Sequence, residues 1–360
     1  MPPRQRSPRA TNNQPDLLAS PALFPRQFDF AQRVTLLVRM TRDTYRDSTF
    51  LDDRTKIADP RALTLPIPAL AQRLARDARP NPPVNYLFHT AFCGSTLLSR
   101  CLELPGASFA LKEPAPLHQL ACIRRDQAAG AHAPVRVTDD LFDQSLAVAT
   151  TLLARTWSPG EIALIKPSDT CNNLIGDILD RSTHSRAVLL YSRIDDFVIA
   201  MLKNDARRNY VAGMVPRAKV DLAGALDDLD TDTLSPAQTA AYVWLGQIRT
   251  YLTELNANPQ RSATLDGALI FSRPADVIRA VASQLRLNLA DRTINKIVTG
   301  PVFNADSKDP TKPFDHEAYQ AKRAQTKTNL EPEIREARAW LDRHAGAIDL
   351  PDELPNPALA

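Results

Sequence analysis

Along the chain, apolar residues gather into runs of strand length at Tyr86-Leu87-Phe88-His89, Ser108-Phe109-Ala110-Leu111, Glu161-Ile162-Ala163-Leu164-Ile165-Lys166 and Arg186-Ala187-Val188-Leu189-Leu190-Tyr191-Ser192. Each run is short and apolar without alternation, as a strand is when both its faces are covered. Between the runs the spacing turns helical. Ser95 to Leu104 carries Leu97, Leu98, Cys101 and Leu102 on one face. Residues 139–156 carry Leu141, Phe142, Leu146, Leu152 and Leu153, with Thr138 or Asp139 as the starting cap. Asn172–Asp180 and a segment from Asp195 to about Asn204 read as further helices. Strands alternating with helices predict an α/β fold with a central parallel sheet flanked by helices.

The flanking segments are less regular. Val34-Thr35-Leu36-Leu37-Val38 reads as helix or strand, with Tyr45, Phe50 and Leu51 as later apolar anchors. Residues 60–83 hold six prolines around a short helix from Ile67 to Arg76, which predicts a connector wrapped onto the core. Residues 205–233 read as a mobile, charged insertion, and Pro236 to Leu255 as a strong helix. Ala268-Leu269-Ile270-Phe271 is either a strand or the start of a helix running through Val277 and Val281 to Leu285. Residues 300–315 lack any regular pattern, which suits a functional lid or a disordered loop. A final helix over 331–345 carries Trp340. The expected organisation is a disordered tail over 1–25, an N-terminal extension over 26–83 packed on the core, and the main domain over 84–350.

Composition narrows the function classes. A length of 360 residues suits one large domain or two modest ones. Lys and Arg total 44 against 41 Asp and Glu, a balance of +3, so no dedicated nucleic-acid binder is expected. No run approaches the length of a membrane-spanning helix, and the basic start MPPRQRSPRATNNQPD has no apolar core for a secretory signal. Cys93, Cys101, Cys122 and Cys171 fit neither a zinc pattern nor a disulfide framework, so a cytoplasmic location and metal-independent chemistry are expected.

Ligands of an open parallel sheet bind at the carboxyl ends of its strands. Here each run delivers a polar group at that end: the turn over 89–96, then Lys112-Glu113, then Lys166, then Arg193. His89-Thr90-Ala91-Phe92-Cys93-Gly94-Ser95-Thr96 has the register of a phosphate-cradling GxxxxGK[ST] loop. Gly94 and Thr96 match it, while Ser95 stands where the triphosphate-binding lysine would be, which disfavours ordinary nucleoside triphosphate hydrolysis. The plain alternative is an ordinary strand-turn-helix with a Ser or Thr cap.

The run Phe88 to Arg100 resembles the 5′-phosphosulfate-binding loop of P-loop sulfotransferases, a turn that enters a Leu-Leu helix. Ala187 to Asp196 resembles their 3′-phosphate-binding strand, and the resemblance covers roughly residues 84–345. It implies a P-loop NTPase-like three-layer sandwich and transfer of a sulfuryl group from 3′-phosphoadenosine 5′-phosphosulfate to a hydroxyl or amine of a small-molecule or glycan-type acceptor. Two positions depart from the family pattern: Phe92 replaces a Lys or Arg, and Met201 replaces a serine. The alternatives are a small-molecule kinase of the same superfamily and a non-catalytic P-loop binding or scaffold protein.

The resemblance assigns roles residue by residue. Cys93, Gly94, Ser95, Thr96 and Leu97 belong to the phosphosulfate loop, Arg193 to the 3′-phosphate, and Lys308 to a loop closing over the nucleotide. Glu113 is the implied general base, which a raised carboxyl pKa would favour. Its plain alternative is a loop carboxylate paired with Lys112. His89 is the rival base, or a satisfied half-buried imidazole; His118 is a weaker one. Lys166 or Lys112 is placed to stabilise the bridging oxygen as the donor bond breaks, or else is simply solvated. Arg193 has a surface ion pair with Asp195 or Asp196 as its alternative. Cys93 sits where a helix start lowers a thiol pKa, or serves as a small filler. The walls of the acceptor pocket are expected from 28–54, 205–233 and 300–315.

Overall fold

The computed structural model describes residues 17–59, 61–77, 83–131, 135–309 and 312–359. The proposed tail over 1–25 lies outside them as far as residue 16. From there Leu18, Leu23 and Phe24 are buried.

Five strands form the central sheet. In chain order they follow three strands of an N-terminal sheet: β1 Leu23–Asp29, β2 Val34–Arg39 and β3 Leu63–Pro66, which pair antiparallel in that order. The central five are β4 Val84–His89, β5 Ser108–Lys112, β6 Ile162–Lys166, β7 Ala187–Tyr191 and β8 Ser262–Asp266. Their order across the sheet is β5-β6-β4-β7-β8, and every pairing is parallel. The fold is therefore α/β, with a five-stranded parallel sheet flanked by helices.

The apolar runs without alternation explain the layering. Successive side chains of a strand point to opposite faces. Tyr86, Phe88, Phe109, Leu111, Ile165 and Leu189 enter one apolar cluster, and Leu87, Leu164, Val188, Leu190 and Leu265 enter the other. The first cluster also holds helices Asp139–Leu153, Ile194–Leu202, Pro236–Ala257 and Glu331–His344, together with the N-terminal sheet. The second holds Ser95–Cys101, Pro274–Gln284 and Asp291–Thr299.

One segment differs from the sequence expectation, and two others settle an alternative left open. Residues 205–233 are not a mobile insertion: they fold into helices Asp205–Ala212 and Val215–Asp221, whose Val211 and Ala218 are buried. Ala218 packs against Gly246 of the long helix Pro236–Ala257. Ala268–Phe271 is helical within Leu269–Ser272, and the strand lies just before it as β8. The run Val34–Val38 is strand. The outer side of β8 is bordered by residues 355–358: Thr264 donates its backbone N–H to the Asn356 carbonyl and accepts from Ala358. None of the described helices is long and apolar enough to cross a membrane.

The sheet order fixes where a ligand sits. From β4 the chain crosses to β5 on one side, and from β6 it crosses back over β4 to β7. The carboxyl end of β4 is thus the switch point, where the connections diverge and leave a crevice.

Candidate functional site

The turn after β4 occupies that crevice. Ala91 (φ 67°), Phe92 (φ 51°) and Gly94 (φ 86°) all take left-handed backbone. A non-glycine residue in that region costs about 1 to 3 kcal/mol, so the surroundings must hold it. They do so from β7. Thr90 donates its N–H to the Leu190 carbonyl at 3.1 Å, and its Oγ1 accepts from Ser192 N–H at 3.2 Å. Gly267 closes the turn from the far side, where a Cβ would stand 2.4 Å from the Cys93 carbonyl oxygen. Ser95 and Thr96 follow at the start of helix Ser95–Cys101, both buried.

Three strand ends meet beneath the turn. Lys166 ends β6 with no exposed surface, and its Nζ donates to Glu113 Oε1 at 2.5 Å. It also lies 3.2 Å from His89 Nε2. His89 Nδ1 accepts the Ala91 N–H at 3.1 Å, which puts the proton of a neutral imidazole on Nε2. Burial, and then the neighbouring Lys166, hold the His89 pKa well below its ordinary value, so the ring stays neutral. Glu113 reaches Lys166 because its backbone turns left-handed (φ 52°) and its N–H bonds the Lys166 carbonyl at 2.6 Å. Of the three side chains Glu113 has the most access to solvent, 21 % against 5 % for His89 and none for Lys166.

His89 and Glu113 of this cluster line a cavity of about 500 Å³, which also takes in Gly94, Ser95 and Thr96, while Lys166 lies buried behind them. Its walls come from three distant segments: Phe50 and Arg54, then Lys203, Arg207 and Tyr210, then Asp306, Ser307 and Lys308. A second cavity of about 290 Å³ adjoins it, sharing Phe92, Lys203, Phe271 and Tyr319 and adding Cys93, Ser192, Gln320 and Lys322. Phe271, Phe314 and Tyr319 form an aromatic group at this junction, with Phe271 and Phe314 stacked at 6.2 Å.

Other sequence-derived residues lie elsewhere. Arg193 is 65 % exposed at its side chain and pairs with Asp266 at 2.7 Å, not with Asp195 or Asp196. Those two carboxylates bind Arg338 and Arg323. Arg193 lines neither cavity. Lys112 turns from Glu113 and donates to the Arg46 carbonyl at 2.8 Å, with burial lowering its pKa to about 8. His118 meets the Ser168 hydroxyl at 3.2 Å. Met201 and Leu97 are buried in the core. The Cys93 thiol is pushed up to about 11 by burial, so desolvation outweighs any effect of the helix start. Among the described residues, no group of three or more His, Cys, Asp and Glu is placed to hold a metal ion.

Three solved sulfotransferases are similar to the chain. One is the sulfotransferase domain from the curacin biosynthetic pathway, 14 % identical, covering 74 % of this chain and 99 % of that one, with a TM-score of 0.40. A sulfotransferase from Mycobacterium avium is 13 % identical, with coverage of 77 % and 81 % and a TM-score of 0.35. One from Alicyclobacillus acidocaldarius is 16 % identical, with coverage of 73 % and 99 % and a TM-score of 0.33. The likeness concerns the course of the chain and says nothing of donor or acceptor. No family model matches the chain, and no curated protein does.

Sequence reasoning named His89, Glu113, Lys166 and the turn, and the structure brings these together. It expected the walls from 28–54, 205–233 and 300–315, which hold Arg54, Arg207 and Lys308, without singling out the first two, and it missed Lys203, Phe271 and Tyr319 as cavity residues. The run Lys203 to Arg208, with three basic residues just after the helix that follows β7, was the available signal.

Proposed function

We propose that the protein is a transferase that moves a sulfuryl group from 3′-phosphoadenosine 5′-phosphosulfate to a hydroxyl or amine. The observation that carries the reading is the Lys166 ammonium, fully buried behind Glu113 at 2.5 Å, with Glu113 itself lining the cavity beneath the turn. With Ser95 in place of a triphosphate-binding lysine, charge for the transferring group comes from the basic residues of the walls, with Lys166 behind Glu113.

The turn is suited to the donor's 5′-phosphosulfate, since it leads into the first backbone N–H groups of helix Ser95–Cys101. The acceptor oxygen attacks sulfur, the bond from sulfur to the bridging oxygen breaks, and the phosphate leaves with the electron pair. The acceptor proton passes to Glu113, the most accessible base of the cluster. His89 is unsuited to take it, because its Nδ1 is occupied and its neutral form is favoured. Lys166 holds the Glu113 side chain in place as a fixed charge, of the kind that stabilises a transition state at no cost in reorganisation. For the 3′-phosphate, Lys203 and Lys322 around the smaller cavity are the cations that suit it, while Arg193 is already engaged by Asp266.

Calorimetric titration with 3′,5′-adenosine bisphosphate, with ATP·Mg²⁺ in parallel, tests the reading. Micromolar binding of the bisphosphate, about −8 kcal/mol, with retained binding and lost transfer in Glu113→Gln protein, is the expected result. Binding of ATP·Mg²⁺ alone would move the protein to the kinases. Binding of neither would retire the donor site.

A further inference from the structure

Arg207 and Lys308 come from segments about a hundred residues apart and meet on one aromatic ring. The Arg207 guanidinium carbon stands 3.6 Å from the Phe92 ring centroid, and Lys308 Nζ stands 5.0 Å from it. Phe92 is one of the two left-handed non-glycine residues of the turn, so backbone strain is maintained where this ring is presented. Among the described residues neither cation has a carboxylate within ion-pairing distance, although the adjacent Arg208 pairs with Glu333. Partial burial, and then Arg207, lower the Lys308 pKa, so the two charges oppose one another. The loop that carries Lys308 is nevertheless fastened. Thr49 Oγ1 donates to the Lys308 carbonyl at 3.0 Å, and Asp306 accepts the Lys308 N–H at 2.8 Å. Two like charges held together with no carboxylate in ion-pairing range, Glu113 and Asp306 acting only from farther off, form a site for an anion.

The position of the pair says which anion. Lys322 borders the smaller cavity, whereas Arg207 and Lys308 face the larger cavity that holds Glu113, which Lys203 also reaches; Lys308 further edges the neighbouring groove beside Thr49 and Phe50. Glu113 is within electrostatic reach of Lys308 and of Arg54. A group that gives its proton to Glu113 must enter through the larger cavity. We infer that Arg207 and Lys308, mounted on Phe92, bind an anionic substituent of the acceptor, a carboxylate, phosphate or sulfate group on the molecule that presents the reacting hydroxyl or amine. Phe92 is the positioning residue and the two cations touch the acceptor. The assignment to the acceptor rests on the transfer reaction proposed above; the anion site does not.

The test titrates inorganic sulfate into the full chain, with and without saturating 3′,5′-adenosine bisphosphate, for wild type, Arg207→Gln, Lys308→Gln and Lys312→Gln. Lys312 pairs with Asp309 on the same loop and controls for net charge. Sulfate binding that survives saturation by the bisphosphate, and weakens about tenfold or more in Arg207→Gln and Lys308→Gln but not in Lys312→Gln, is expected. Phe92→Leu then weakens it as well, with both cations still present. Sulfate that is displaced by the bisphosphate would assign the pair to the donor and overturn the inference. So would sulfate binding that is absent or indifferent to both substitutions. Sulfate binding sensitive to Arg207 in a protein that takes no bisphosphate would retire the donor reading and keep the anion site. Carboxylate and phosphate arms follow with 4-hydroxyphenylacetate, its neutral amide, and 4-hydroxybenzyl phosphate, in the same variants.

Discussion

Replacing Glu113 by Gln removes one charge from a pair whose other member has no exposed surface. The amide can still accept from Lys166, but the ammonium loses its counter-charge. Breaking a buried pair costs about 3 to 5 kcal/mol. Glu113 retains 21 % exposure, so water offsets part of this, and a loss of about 2 to 3 kcal/mol is expected. Lys166→Met costs less, about 1 to 2 kcal/mol, because the carboxylate left behind can be hydrated. In the double variant no unpaired charge remains, so its loss falls short of the sum by about 2 kcal/mol. Urea unfolding of the four proteins at one pH measures this coupling. A coupling below about 0.5 kcal/mol would show that the two side chains do not depend on each other, and the cluster beneath the turn would lose its physical basis. Transfer falls about 100-fold or more in each single variant if Glu113 takes the acceptor proton.

Gly267→Ala puts a Cβ 2.4 Å from the Cys93 carbonyl oxygen, so the turn must shift; about 1 to 3 kcal/mol of stability and most bisphosphate binding are lost, by urea unfolding and calorimetry. Arg193→Ala removes an exposed ion pair to Asp266 and costs under about 1 kcal/mol by the same unfolding measurement. Lys112 has its pKa lowered to about 8 in the folded chain, so the unfolded chain binds the extra proton and the burial cost fades as pH rises toward the ordinary lysine value. The stability advantage of Lys112→Met over wild type therefore shrinks by about 2 kcal/mol between about pH 7.5 and 9.5, in urea titrations across that window. Native protein treated with iodoacetamide at mild pH is alkylated at Cys122 alone, because Cys93, Cys101 and Cys171 are buried; mass spectrometry of peptides reads this.

Strands β4 to β7 were legible because burial on both faces leaves unbroken apolar runs. Strand β8 was not, because Ser262 and Thr264 bury hydroxyls within it. Those hydroxyls bond Glu254 and the Pro355 carbonyl, partners that no local pattern shows. Helix His316–Asn329 has no residue in the core clusters and so leaves no apolar stripe. The site was half legible. His89, Glu113 and Lys166 each stood out as a polar residue ending an apolar run. Their meeting depends on the pairing of Lys112 with Lys166 across β5 and β6 and on the left-handed turn at Glu113, which only the folded sheet supplies. Arg207 escaped because its role comes from a ring more than a hundred residues earlier in the chain.

The segment over 355–358 lies along the outer side of β8, taking up the Thr264 N–H and carbonyl that would otherwise face solvent. An open strand margin invites pairing with another molecule. Chains cut before Pro355 would carry a vacant margin beside a parallel sheet, and would self-associate in proportion to concentration while their cavities stayed formed. The segment over 355–358 thus acts as a selvage, keeping the sheet from being extended by a neighbour.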